Sequence, residues 1–432
     1  MTRAPHSAKQ SAPSTPSSPR QVSMREGWEQ APLARVLRQH RNSVTVGSLE
    51  SVDYAGVRLE GKGVYRRDAV PAAEVRASSL HQLRSGTIVY NRMWASRGAF
   101  GLVPDALDGT LVSNDFPAFE LIDDHAADVS FLELMVTSPQ FWAKASELSS
   151  GSTGRRRLKE QEFLGLPVAL PPLVEQRRIV DLIGAVDDAI EKAEASVAAA
   201  GRAMCEFGSG LIARSVNEGW ATGTLQDALL RDDAIRTGPF GSQLHQSDYV
   251  PDGPVAVIMP ADMRDNRIDL DGAARVSAAD AERLSRHSTE AGDILWSRRG
   301  DVTRFALVDR AAAGSLCGTG CFLLRPSDPT DSSWLEPILS SPATGKWLES
   351  NAVGATMLNL NRSILAGVPV PLPPSSQRPV IAGAWAAMRD AESKASAMSD
   401  SLRSLRSKML SALLSGEHAI PDSYDEVMEV AA

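Results

Sequence analysis

Two stretches of the chain carry apolar side chains at alternating steps of four and three. In the first, Ile179, Ile183, Val186, Ile190, Ala193, Val197, Ala200, Met204, Phe207 and Leu211 keep that rhythm without interruption. The spacing predicts a long helix with a narrow apolar seam of the coiled-coil kind. The second stretch, Ile381, Trp385, Met388, Ala391, Ala395, Met398, Leu402, Leu405, Met409 and Ala412, reads the same way apart from one three-three step near Met388. Pro-Pro precedes each pattern, which suits a helix start and forbids a helix interior. Long helices are therefore expected over 173–217 and 375–416, with Ser375 or Ser376 capping the second and Pro379 in its first turn. Neither seam is broad enough for a globular core, so each helix is expected to cover the other as an antiparallel coiled coil. About 40 helical residues span about 60 Å.

Between these stretches the pattern changes to short β-type runs, Gly86–Tyr90, Val255–Met259, Asp293–Trp296 and Cys321–Arg325, separated by Gly, Asp and Asn turns. Helix-like patches fall at 129–148 and 333–350. The chain also repeats at about half its length. GLPVALPPLVEQRRIV at 165–180 matches GVPVPLPPSSQRPVIA at 367–382, and GTIVYNRMWASRG at 86–98 matches GDILWSRRGD at 292–301. Both halves open alike, Trp28 with Leu33 and Leu37, Trp220 with Leu225 and Leu229. The expected fold is α+β: two tandem mixed α/β domains, 27–172 and 218–374, each followed by a long helix, related by a pseudo-two-fold axis. Residues 1–26, rich in Ser, Pro and Ala, are expected to be a disordered tail, and 417–432 an acidic C-terminal tail.

Composition narrows the function classes. With 45 Lys and Arg against 53 Asp and Glu the net charge is -8, and 43% of the 432 residues are hydrophobic. No run approaches the ~18 apolar residues of a membrane span, and the N-terminus lacks a secretory apolar region, so a cytoplasmic protein is expected. The mild acidity argues against coating nucleic acid by charge alone, but not against a site-specific reader with local Arg and Lys. Cys205, Cys317 and Cys321 cannot complete a tetrahedral metal site and are expected to be reduced packing residues.

No catalytic constellation is legible. Motifs for amino-methylation, a phosphate loop, a zinc protease helix and a nucleophile elbow are all missing. Asp293 and Asp301 flank an Arg-rich turn without the Glu-x-Lys of a nuclease cluster. Arg, Asn and Gln in turns are instead the residue types that fork onto base edges and hold phosphates. The candidates in the first domain are Arg92, Trp94 and Arg97, with the Arg155, Arg156 and Arg157 triplet. In the second they are Phe240, Ser242 and Gln243 of a Gly-Pro-Phe-Gly-Ser loop, Arg298 and Arg299, and Asn359, Asn361 and Arg362 where the first domain has its Arg triplet. Phe240 and Trp94 fit a core place better than a base-stacking one. Two similar domains at a fixed separation suit duplex DNA, which repeats every ~34 Å; a coiled-coil adaptor with two ligand-binding domains suits the same pattern.

The Gly-hydrophobic-Pro-hydrophobic-x-hydrophobic-Pro-Pro-x-x-Glu-Gln signature followed by a long helix, present twice, resembles the specificity subunit of type I restriction-modification enzymes. It is read at Gly165, Pro167, Pro171, Pro172, Glu175 and Gln176, with TGPFGSQLHQSDY at 237–249 and the Gly-small-Thr turns at 151–158 and 354–361 as weaker parts. The resemblance implies two target recognition domains, each reading one half of a bipartite sequence in double-stranded DNA. It also implies helices that set the spacer and dock two methyltransferase subunits, which motor-endonuclease subunits join. Docking then falls to Pro171, Pro172, Glu175 and Gln176, and to Pro373, Pro374 and Gln377 in the second copy. The chain itself would be non-catalytic and bind no cofactor, S-adenosylmethionine, ATP and Mg belonging to the partners. The second copy reads PPSSQRP, one residue shorter and without the Glu, a departure from the signature at the second junction.

Overall fold

The computed structural model describes residues 25, 27–123, 125–150, 156–328, 331–354 and 356–426. The tail expected over 1–26, Arg25 apart, and Arg155 lie outside these residues. The described chain forms two units. One comprises the residues up to Ile190 with those from Ser401 onward, and the other is Glu191–Asp400.

Unit 1 is built on a four-stranded antiparallel sheet in the order Phe100–Leu102, Ile88–Tyr90, Ala118–Leu121, Leu37–His40. Unit 2 repeats that order with Phe305–Leu307, Ile294–Ser297, Cys321–Leu324 and Ile235–Thr237. Each unit adds a three-stranded sheet, of which only the one in unit 2 contains a parallel pair, Val255–Ile258 with Leu316–Cys317. Each also has a two-strand clasp at its helix junction, Glu29–Pro32 with Pro167–Leu170 and Ala221–Thr224 with Pro369–Leu372. The duplication visible in the sequence is thus a duplication of topology.

The same residues nucleate both cores. Trp28, Leu33 and Leu37 are buried in unit 1, as are Trp220, Leu225 and Leu229 in unit 2. Tyr90 packs against Phe100 and Phe163, with ring centroids 5.2 and 4.9 Å away, and its hydroxyl donates to the Leu158 carbonyl at 3.1 Å. Trp296 holds the matching place, stacked on Phe305 at 4.8 Å, with Nε1 donating to the Val302 carbonyl at 2.8 Å. In both, a large apolar body fills the core while its polar tip finds a partner. The helix-like patches each split in two where a Ser-Pro pair intervenes: Val129–Val136 with Pro139–Leu148, and Asp331–Leu339 with Pro342–Asn351. Ser138 and Ser341 cap the second member of each pair through Phe141 N and Thr344 N.

The first long helix runs Leu173–Asn217 and the second Arg378–Leu414. In unit 2 they pack antiparallel: Phe207 stacks on Trp385 at 6.2 Å, and Leu211 shares a core with Ile381. In unit 1, Ile179 and Ile183 share a core with Leu410 and Leu413, and Asp187 pairs with Arg406. Every expected seam residue of the first helix is buried or half-buried. The second seam needs correction. Ala391, Met398 and Leu405 face outward, and the covered positions are Ile381, Trp385, Met388, Glu392, Ala395, Ser399, Leu402, Arg406, Met409 and Leu413. That series keeps a regular four-three rhythm with no irregular step, but three of its members are polar. Its start also differs: Ser375 to Gln377 form a turn, and Ile381 N donates to Gln377 O at 3.0 Å, so Gln377 rather than a serine precedes the first helical residue. Pro379 sits in the first turn, as expected.

Cys317 and Cys321 are buried, and burial pushes both thiols up, Cys321 to about 12. Cys205 is exposed on the first long helix, contrary to a packing role.

Glu133, half-buried on Val129–Val136, has its carboxyl raised by burial, against which only the Leu102 N–H at 3.4 Å works. A carboxyl raised in the folded state favours folding most below its unfolded value, and that contribution is lost as pH rises through the folded value. Glu133→Gln is therefore expected to raise the melting temperature at pH 8 and leave it unchanged at pH 4. Equal shifts at both pH values would contradict the assignment.

Candidate nucleic-acid interface

In each unit the turn that leaves the central strand meets the segment entering a short helix, Glu160–Leu164 or Arg362–Ala366. Leu158 N donates to the Arg92 carbonyl at 3.0 Å, and Leu360 N to the Arg298 carbonyl at 2.9 Å. Just upstream, Ser150 bridges Arg157 and Val353 bridges Asn359. These bonds set a common register: Arg92 with Arg298, Leu158 with Leu360, Arg157 with Asn359. The two candidate segments of each domain, far apart in sequence, thereby become neighbours.

Within that shared frame the chemistry differs. Arg92 forms a largely covered ion pair with Glu160. The place of Glu160 is taken in unit 2 by Arg362, whose Nη2 donates to the Asp232 carbonyl at 2.7 Å. Arg298 instead lies over the Phe322 ring at 5.8 Å, without a carboxylate among the described residues. Arg299 is exposed and likewise unpaired among them. Arg156 holds its own ribbon through the Ser149 carbonyl at 2.9 Å, and Arg157 lies 3.5 Å from Asp115 and beside Met93. Arg97 stacks on Trp94 at 5.4 Å.

Several candidates are occupied by local structure. Gln243 Oε1 accepts from Phe240 N at 3.1 Å, closing its own turn. Asn359 Nδ2 donates to the Met357 carbonyl at 3.0 Å, and Asn361 caps its short helix through Ile364 N at 2.8 Å. Ser242 is exposed. Trp94 and Phe240, expected in the core, are 44% and 54% exposed, because each sits on a turn that the sheet does not cover.

The structure adds residues that the sequence did not single out. Beside Arg92 a cleft of about 300 Å³ is lined by Gln39, His40, His81, Gln82 and Asn114 among others. His81 Nε2 and Asn114 Oδ1 lie 2.6 Å apart. These are the side-chain types that meet base edges, but they come from two strands and a turn and share no motif. Met93, Val353 and Met357 are exposed apolar side chains on the turns just described.

At the helix junctions the signature has an internal task. Gln176 is 1% exposed; its Oε1 accepts from Asp128 N at 2.8 Å, and its Nε2 donates to the Pro171 carbonyl at 2.9 Å. It clamps helix to domain and leaves almost none of its side chain exposed. Glu175 accepts from Trp28 Nε1 at 3.1 Å and from Arg25. In unit 2 Arg378 Nε points at the Pro373 carbonyl at 3.4 Å, the bond that Gln176 makes to Pro171. The second copy is therefore not one residue shorter: Gln377 stands for Glu175 and Arg378 for Gln176. The missing carboxylate comes from the end of the first helix, where Glu218 accepts from Trp220 Nε1 at 3.1 Å and Gln377 Nε2 at 3.4 Å. Arg214, with help from these donors, holds the Glu218 carboxyl below its usual range. Pro171 and Pro373 are buried, whereas Pro172 and Pro374 are exposed.

The C-terminal segment folds back on unit 1. Asp422 and Asp425 grip Arg178 at 2.7 and 2.5 Å, and Ile420 is buried. Gly416, at φ +73°, places its backbone beside Trp28 and Arg25.

No family model matches the sequence. Among solved structures, a chain from work on complex assembly and conformational transition of the type I R-M system matches with TM-score 0.60 and 19% identity, covering 91% of this chain and 99% of that one. The type I restriction-modification system S subunit from M. genitalium matches with TM-score 0.52 and 14% identity, over 94% of this chain and 99% of that one. Along nearly its whole length, the chain has the fold of a type I restriction-modification S subunit.

Proposed function

We propose that this chain is the DNA-specificity subunit of a type I restriction-modification complex. Unit 1 and unit 2 each read one half of a bipartite target, and the paired helices set the spacer between the halves. The likeness to a type I system chain over 99% of that chain's length carries this reading. The repeated sheet order in two units supports it, since two similar readers suit a two-part target. Two methyltransferase subunits dock near the helix junctions, through the outward-facing Pro172 and Pro374 rather than the inward Gln176. Motor-endonuclease subunits complete the complex, and S-adenosylmethionine, ATP and Mg bind to the partners. No helix among the described residues is long and apolar enough to cross a membrane, and a cytoplasmic setting fits the reading.

Single-molecule methylome sequencing of cells expressing the chain with its methyltransferase tests it directly. Adenine methylation at one gapped motif, lost on deletion of this gene, is the expected result. Methylation unchanged by the deletion would remove the specificity role.

The ruler part of the reading has its own test. Inserting four residues, about 6 Å of helix, between Ala193 and Val197 is expected to alter the preferred spacer while leaving both half-sites intact. An unchanged spacer would count against helices that measure.

A further inference from the structure

We infer that the cleft beside Arg92 in unit 1 is a pocket for a single nucleobase turned out of the duplex. The inference rests on the DNA-reading function above and adds a site and its ligand.

Shape is the first argument. Base edges inside an intact groove are reached by elements that protrude, such as a helix or a two-stranded ribbon. A cleft of about 300 Å³ receives instead a group that protrudes from the DNA, which is a phosphate or an extruded base. The walls are fixed by backbone bonds. Arg92 N donates to the Asp115 carbonyl at 2.9 Å, Phe116 N to the Ser113 carbonyl at 3.0 Å, and Gln82 N to the Asn42 carbonyl at 2.8 Å.

The lining decides between the two ligands. One flank is apolar: Leu83 and Ala118 belong to a buried cluster, and Phe116 packs against it. That flank suits a flat ring and offers a phosphate nothing. Glu160 also lines the cleft and neutralises Arg92, which disfavours an anion there. The remaining hydrogen-bonding groups are of both kinds. Gln82 is spent, its Oε1 accepting from Asn42 Nδ2 at 2.8 Å and its Nε2 donating to the Gly109 carbonyl at 3.2 Å. Gln39 Nε2 faces Glu160 Oε1 at 3.5 Å, and Asn114 Oδ1 accepts from His81 Nε2 at 2.6 Å. That leaves Gln39 Oε1, an acceptor, and Asn114 Nδ2, a donor, without partners among the described residues. His81 Nδ1 and Arg92 Nε are buried without partners as well, a state uncommon in folded chains. A phosphate carries acceptors alone and would leave Gln39 Oε1 empty, whereas the Watson–Crick edge of a base sets a donor beside an acceptor. Arg41, an exposed lining residue that faces no carboxylate among the described residues, then holds the phosphate of the extruded nucleotide.

The full chain, assembled with its methyltransferase subunits, is bound to duplexes carrying 2-aminopurine at each position of both strands of the unit 1 half-site in turn. A methyltransferase extrudes its own target base, so fluorescence is expected to rise at the methylated adenine. A second rise is expected at one other nucleotide, the one that the cleft holds. Gln39→Ala combined with Asn114→Ala should cut the second rise by about half or more and leave the first. Asn114→Asp keeps the shape and the bond to His81 but loses the donor; it should act in the same direction, and it serves if the double variant does not fold. Binding with a rise only at the methylated adenine, or a second rise untouched by these variants, overturns the pocket and leaves the specificity reading standing. Failure of the assembled complex to bind any duplex overturns both.

Discussion

Asp293→Ala is expected to cost unit 2 about 4 kcal/mol, on the order of 10 °C in melting temperature for a unit of this size. Asp293 precedes the central strand and its carboxylate is almost wholly covered. Arg325 Nε and Nη2 donate to its two oxygens at 2.9 and 2.7 Å, and Glu290 N donates to Oδ2 at 2.7 Å. Arg325 also spans to the Ser288 carbonyl at 2.9 Å. Removing the carboxylate leaves a largely covered guanidinium with only the mostly exposed Glu290 carboxylate, 2.5 Å from Nη1, and strands the Glu290 backbone donor. Removing both charges, as in Asp293→Leu with Arg325→Met, should recover much of the loss, because the pair repays its desolvation only when complete. Tryptophan fluorescence follows the event, since five of the eight tryptophans lie in unit 2, Trp296 and Trp334 in its core. A single variant that melts like the parent, or a double variant as unstable as the single, would refute this account.

Gln176→Leu is expected to be nearly as severe in unit 1, about 3 kcal/mol. A leucine fills much of the same volume but leaves Asp128 N–H and the Pro171 carbonyl buried without partners. The consequence spreads, because Asp128 also caps Val129–Val136 by accepting from Ser130 N and Phe131 N. Amide exchange over 129–136 should accelerate with the loss of stability. Arg378→Leu, at the matching place in unit 2, should cost less: Arg378 is half-buried and its bond to Pro373 is the longer one. Equal penalties at the two sites would show that the junctions bear the same load and that their different chemistry is immaterial.

Much of the architecture was legible because it depends on period and repetition. The first seam is apolar at every step, so its rhythm was plain. The second hid its rhythm because Glu392, Ser399 and Arg406 occupy seam positions. Reading only apolar residues moved the line one place onto Ala391, Met398 and Leu405 and produced a false irregular step. Polar residues at a seam cost stability and fix register, and Arg406 finds Asp187 on the facing helix. The sheet order was not legible, since strands of two to four residues take their partners from tertiary packing rather than local preference. For the candidate interface, sequence located the turns but not the state of their side chains. Arg92 and Arg298 look alike in the two motifs. Only the fold shows that one faces Glu160 and the other an aromatic ring. The gap placed in the second signature had a similar cause: matching Gln to Gln looked natural, whereas the backbone matches Gln377 to Glu175.

The close approach of Gly416 to Trp28 has a topological consequence. The first long helix runs through Asn217 straight into Trp220, and the second ends beside the tryptophan that opens the first domain. A linker from Glu426, which keeps the C-terminal segment on unit 1, to residue 25 would make the polypeptide a ring with the same order of elements read from either domain. Such a ring can be reopened at Gly219, itself at φ +64° in an exposed turn, to give a circular permutant whose first domain is the present second one. That permutant is expected to fold, because it joins Leu410, Leu413 and Ile420 directly to the domain whose core they complete, and the order of the two domains along the gene is then free to differ.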